Sequence, residues 1–407
     1  MKNKHLLILG GGALNYKSIL EAKKHGFITY VADQNPKAPC FSIADIPIIG
    51  DINSAEDILS KVTNYPINGV VSMAEAGVVC GAVITEKLGL GGIDLNTALN
   101  CTSKLVMRKA WEGIPYSVNY RAIKTFEEAM IAAQQLNTYP LIIKPDKTFG
   151  GSRGVSKIFS SAELKDAFVY ALSSGLNEHI VIEECAEGNE FSCEVLVYNG
   201  VAHVLCIGQK VKSPAPYRVD CSVQYEANLT SAQKKEINIM CQKATQLIGI
   251  KNGVAHVEFA YTPIGPKLFE LGARCGGGHT PLIAKYVSGV NEFIEYCKIA
   301  CGLSPTIELA KLKKGADYRF IIFEPGIVEE VIIPPYLLSD PLIYDIAITV
   351  KKGDKIEDLK STSARAGAAV IFADDLNEAI TKSTEICSKL QIKYTDGTIK
   401  SALLFNT

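Results

Sequence analysis

Two glutamates spaced to face each other across a hairpin give the first chemical lead. In GVAHVEFAYTPIGPKLFELGARCGGGH (253–279), VAHVEFAY alternates as a half-buried strand does, TPIGP carries turn residues and KLFEL returns. A five-residue loop over 262–266 pairs Tyr261 with Lys267 and sets Glu258 opposite Glu270. Cross-strand neighbours have Cβ atoms about 5 Å apart. Two carboxylates there repel by roughly 3 kcal/mol at an effective dielectric of 20. A divalent cation reverses that sign, and Mg²⁺ typically takes one or two carboxylates together with substrate phosphates. Two solvated glutamates kept apart by a bulge remain the alternative on this evidence. Arg274 and Gly276–Gly278 follow at once. Arginine clamps phosphoryl and carboxylate groups, and glycine amides can line an anion pocket. His256 shares a strand face with Glu258 and is expected to pack beside that site.

A second lead is YPLIIKPDKTFGGSRGVSKI (139–158). Lys144 ends an apolar run, and Gly150, Gly151, Ser152 and Gly154 crowd the loop behind it. Glycine lets the backbone approach phosphate closely, so the stretch reads as half of a phosphate site. A snorkelling lysine beside a flexible turn is the plainer alternative. A third cluster, Gly10–Gly12 with Asp33 ending the next strand, is similar to a dinucleotide turn. The GxGxxG spacing is not met, because Asn15 holds the last position. A tight strand-to-helix turn that binds no nicotinamide is the favoured reading. Cys297 and Cys301, four residues apart on a predicted helix, are expected to be small buried residues rather than metal ligands.

These groups need a frame. The first hundred residues alternate strand and helix: 5–9, 16–26, 27–33 and 67–73 predict a parallel sheet covered by helices. A helix over 104–111 leads to a linker at Gly113–Pro115. From about 118 to 186 a small unit follows: helix 126–136, strand 141–144, glycine loop, strand 155–159, helix 161–174, strand 179–184. Its size suggests a mobile lid. Strands dominate 190–272, with a helix at 231–248. The last hundred residues read as two strands near 317–332, one at 344–350 and a helix at 376–390.

A length of 407 residues suits two or three domains. A net charge of −1 argues against broad nucleic-acid or membrane binding through a basic field. The twelve cysteines form no CxxC pair, and no apolar run reaches membrane length. A cytoplasmic protein with reduced thiols is expected.

Strand lysine, glycine loop, acidic strand end (VIEECAEGNE) and carboxylate hairpin ending in arginine, in that order, resemble the ATP-grasp superfamily of carboxylate–amine ligase type. ILGGGALNYKSILEAKKHGFITYVADQNPKAPCFSIAD looks like the domain preceding the grasp in purine-biosynthetic and biotin-carboxylase-like members, and KLVMRKAWEGIP like the run into the lid. The implied fold is α/β: a Rossmann-like pre-ATP-grasp domain (1–100), an ATP-grasp domain (101–310) with an α+β lid (118–186), and a C-terminal mixed α/β region (311–407).

The resemblance implies that Lys104 and Lys144 bind the phosphates of ATP, with the loop Phe149–Gly154 closing over them. Glu183, Glu184, Cys185 and Ala186 would form the hinge strand at adenine, with the Glu183 carboxylate helping, and Glu190 would take the ribose. Glu258 and Glu270 would hold one or two Mg²⁺, Mn²⁺ being an alternative, and Arg274 would face the γ-phosphate. The usual asparagine two residues after the second glutamate is Gly272 here, which puts the second metal in doubt. Lys210, Lys212 and Arg218 lie in a polar stretch where solvated charges are the plainer reading. With Glu75 (SMAEAG), His279 and Arg365 (SARAG) they are the candidates for substrate contact. The implied reaction is ADP-forming: a carboxylate becomes an acyl phosphate, then an amide, on small amino-acid-like carboxylate and amine substrates. A homodimer is within the family's range. The alternatives are a purine-type ligase or ATP-dependent carboxylase and, from another class, a nicotinamide-dependent oxidoreductase.

Overall fold

The computed structural model describes residues 3–148, 150–310, 312 and 314–405. Phe149, named above in the phosphate loop, lies outside the described residues. The N-terminal region builds a four-stranded parallel sheet. Lys4–Leu9 lies between Phe27–Asp33 and Gly69–Ser72, with Ile46–Ile49 outermost. Leu6 to Leu9 are fully buried, as a parallel strand covered on both faces requires.

The expected lid is a separate four-stranded antiparallel sheet, in the order Tyr120–Ile123, Ile180–Glu184, Leu141–Pro145, Ser156–Ile158. Helices Phe126–Leu136 and Leu164–Ser174 cover it, packing Phe126 and Phe168 against Leu141, Ile143 and Ile182. The first helix starts at a Thr125–Glu128 capping box and stops at Asn137, which is left-handed, so its boundaries are written in local chemistry.

The largest sheet has eight antiparallel strands, in the order Gly265–Gly272, Gly253–Thr262, Asn189–Tyr198, Val201–Lys212, Asp220–Tyr225, Gly315–Ile321, Gly367–Ala373, Ile343–Ile348. Alternate residues serve its two faces. Val195, Val197 and Val257 meet helix Ser231–Ile248. Leu196 and Val254 join the core of helix Glu292–Ala300 and the N-terminal sheet. This sheet runs across residue 310, because three strands from beyond it extend the same hydrogen-bonded ladder. One of them, Gly367–Ala373, was not expected: its short alanine-rich run, GAAVIFA, carries no clear period. No described helix is long and apolar enough to cross a membrane.

Candidate active site

The hairpin places Glu258 directly opposite Glu270, as the spacing required, but by another route. The turn is tighter than the expected five-residue loop: Thr262 pairs with Gly265 and Tyr261 with Pro266. Gly265 takes the φ of +106° that so short a turn needs. The slipped register is then restored by a bulge, with Phe269 as the extra residue. The bulge therefore joins the two carboxylates instead of separating them.

Both glutamates line a cleft between the lid and the large sheet, and each meets a buried lysine. Lys210 Nζ is 2.8 Å from Glu258 and Lys104 Nζ 3.2 Å from Glu270. Burial opposes ionisation of Glu258, yet Lys210 and His256 outweigh it and hold the carboxyl well below its usual range. The two carboxyl side chains keep 31% and 36% exposure, so both can still reach a ligand in the cleft. Hard, ionised oxygens suit Mg²⁺ or Mn²⁺. No cluster of three metal-ligating side chains occurs among the described residues. The donor set therefore fits an ion that brings its remaining oxygens with it, as phosphates and water.

On the lid side, Gly150, Gly151 and Ser152 line the cleft with φ of +75°, +78° and +57°. Such a left-handed run is open to glycine at little cost. Gly154 does not belong to the wall: a Cβ there would strike Pro145 and Ser174, so this glycine serves packing within the lid. Lys144 is buried and 2.7 Å from Glu183. Burial pulls its pKa down to about 8, against the pull of Glu183. The Glu183 carboxylate is not free for adenine as expected. Arg108 grips it with two hydrogen bonds, 2.8 and 3.1 Å, besides Lys144. Glu184, Cys185 and Ala186 remain along the cleft. Arg108 was missed from the sequence, although it stands one helical turn after Lys104, on the same helix face.

Glu190 lies in the cleft wall and accepts from Arg218 at 2.8 Å and Lys212 at 3.1 Å. Lys212 also meets Asp220 at 2.7 Å, and Lys210 meets Asp220 at 3.4 Å. The solvated reading of this stretch fails for Lys210, which is buried, and for Lys212, which is partly buried, since both are paired. Lys210 lies under the cleft behind Glu258 rather than in its wall, while Arg218 and Lys212 do line it. Arg274 donates to Glu75 at 2.7 Å, and both face the cleft. Gly272 leaves them room: a Cβ there would lie 3.4 Å from a Glu75 oxygen.

Three expectations fail outright in geometry. Gly276–Gly278 do not line the cleft. The Gly276 amide donates to Glu194 at 2.8 Å, and a Cβ on Gly278 would overlap Tyr318. His279 is buried away from the cleft, bonded to Asp345 at 2.6 Å between Tyr318 and Tyr344. Arg365 donates to the Asp220 carbonyl at 2.6 Å and lies over the Phe320 ring. Both are polar groups consumed by packing. Thr362, from the segment before Arg365, does reach the cleft and bonds the Gly151 carbonyl through its amide. In the N-terminal turn, Asp33 accepts from the Gly11 amide at 2.8 Å, so the turn is closed by its own residues. Cys297 and Cys301 are buried, as expected.

Behind Glu258, His256 presents one ring nitrogen to Glu258 at 3.2 Å and the other to Glu194 at 2.6 Å. Burial disfavours its charge, but Glu194 outweighs burial and lifts its pKa to about 9. Beside Glu194 is Glu292, fully buried, its carboxyl pushed well above the usual range by burial and by Glu194.

Comparison with known proteins accords with this geometry. Residues 137–281 match the ATP-grasp domain, and an L-amino acid ligase from Bacillus licheniformis shares the fold. Its TM-score is 0.81 at 22% identity, covering 97% of this chain and 100% of that one. Residues 137–281 therefore form an ATP-grasp domain, and the whole chain shares the fold of that ligase. Residues 319–395 match the L-amino acid ligase C-terminal domain 2. The chain is also similar to the L-arginine-specific L-amino acid ligase of Bacillus subtilis, 22% identical over 342 residues, 81% of each chain. A formate-dependent phosphoribosylglycinamide formyltransferase of Trichormus variabilis is 24% identical over 411 residues, 95% of this chain and 97% of that one.

Two outcomes follow. Arg108→Met strands a buried carboxylate with one partner, and should cost about 3–5 kcal/mol, read as a lower Tm and weaker ATP binding. Glu292 keeps its proton in the folded chain above the pH near 4.5 at which the unfolded chain releases it. Wild-type stability should therefore fall as pH rises from there, by up to about 1.4 kcal/mol per pH unit. Glu292→Gln removes that slope, so thermal scans from pH 5 to 8 should show the variant gaining on wild type.

Proposed function

We propose that the protein joins a carboxylate to an amine at the expense of ATP, releasing ADP and phosphate, on small amino-acid-like substrates. One observation carries this reading: Lys104, Lys144 and the Gly150–Ser152 loop converge on the same cleft as Glu258, Glu270 and Arg274. Phosphate-binding groups thus face a carboxylate pair across a space that the lid can close. The match of residues 319–395 to an amino acid ligase domain supports the substrate class.

In this reading the lysines and loop amides fix the triphosphate. The substrate carboxylate oxygen attacks the γ-phosphorus, the bond to the β-phosphate oxygen breaks, and ADP leaves. The amine then attacks the acyl carbon, phosphate departs and the amine loses a proton. Glu258 and Glu270 would hold Mg²⁺, which neutralises charge on the transferring phosphoryl group. Arg274 is poised beside the same charge, and its present partner Glu75 presents a carboxylate suited to a substrate ammonium group. Lid closure keeps water from the acyl phosphate. The purine-type alternative draws support from the full-length similarity to the formyltransferase. It would require a phosphoribosyl substrate.

Phosphate release from Mg-ATP, measured across amino acids singly and in pairs, should be stimulated by a pair, with ADP as the product. Glu270→Ala should lower that turnover on the order of 100-fold or more. Stimulation by phosphoribosyl amines alone would favour the purine-type reading, and full activity in the variant would reject the site.

A further inference from the structure

We propose that Glu194 and His256 are positioning residues: a buried brace that locks Glu258 and the loop after Arg274 into one fixed relation. The inference rests on the reading of Glu258 as a metal-holding carboxylate. Glu194 is fully buried on strand Asn189–Tyr198 and is the cross-strand neighbour of His256. One of its oxygens meets His256 Nδ1 at 2.6 Å, and the other accepts the Gly276 amide at 2.8 Å. His256 Nε2 lies 3.2 Å from Glu258 Oε1, while Lys210 holds Glu258 Oε2 at 2.8 Å. Each oxygen of Glu258 is thus fixed by its own cationic or donor group.

The other arm is equally close. A Cβ on Gly276 would overlap Glu194 and Thr280, so the glycine exists at that position to let the backbone reach the carboxylate. The loop so anchored begins two residues earlier at Arg274. A single buried side chain therefore spans the two halves of the phosphoryl-transfer machinery, the acidic hairpin and the arginine.

Stability alone is a poor reason for this arrangement. Cys193, Val195, Leu196 and Val197, which flank Glu194, are all fully buried and apolar. An apolar residue there would keep the sheet without desolvating a carboxylate, and buried ion pairs are often no better than apolar packing. A carboxylate that orients a histidine, which orients a ligating group, is a recurrent way of tuning a metal site from behind, worth about 10–100-fold in metal affinity.

The test is direct binding. ATP is titrated calorimetrically into the protein with Mg²⁺ and, separately, with EDTA, for wild type, Glu194→Gln and His256→Asn. The wild type should bind ATP more tightly with Mg²⁺. Both variants should lose about 10- to 100-fold of that metal-dependent gain, and His256→Asn should leave ATP affinity in EDTA unchanged. If Glu194→Gln does not fold, His256→Asn, which touches only the Glu258 arm, decides alone. Retention of the full gain by His256→Asn, or an equal loss with and without the metal, overturns the brace. A wild type that shows no metal-dependent gain fails earlier, at the reading of the site itself.

Discussion

Glu258 and Glu270 stand side by side on a hairpin whose other face is packed against a helix, and ionised groups so placed must be compensated. Lys210, Lys104 and His256 supply that compensation from below and from the side. The same demand propagates outward. Lys210 shares Asp220 with Lys212, Lys212 shares Glu190 with Arg218, and Lys144 shares Glu183 with Arg108. The cleft wall is thus a lattice of alternating charges, each paired with a neighbour of opposite sign.

This pairing means that the cleft's charges are compensated within the chain itself. Lys104, Lys144, Lys212, Arg218 and Arg274, which line the cleft, each have a carboxylate partner. Under the proposed function, a triphosphate would compete for those paired cations rather than meet naked ones. Arg274 and Glu75 are the plainest pair of this kind, since they come from the large sheet and the N-terminal region and meet only at the cleft.

Much of the frame could be read from the chain. Helices 126–136 and 231–248 were expected at the bounds that the structure shows, and alternation in VAHVEFAY found the acidic strand. The face-to-face glutamates were correctly paired only because an overlong turn and an overlooked bulge cancel. The other misreadings share one cause. Arg108, Lys212, His279 and Arg365 are polar side chains whose meaning depends on partners 22 to 145 residues away. Type and spacing name a charge, but only the folded ladder tells whether it faces a ligand or a neighbouring side chain. Gly276–Gly278 show the same limit: glycine marks close approach of backbone, and here the approaching group is Glu194.

The eight-stranded sheet bears on how such a chain can change over time. Three of its strands come from beyond residue 310 and hydrogen-bond onward from Asp220–Tyr225, the strand that carries Asp220 into the cleft. The C-terminal portion is therefore not an appendage that recombination could exchange at a linker. Any replacement would have to present a strand of matching register to that edge, so new specificities are reached more readily by altering side chains and loops around the cleft than by shuffling whole segments.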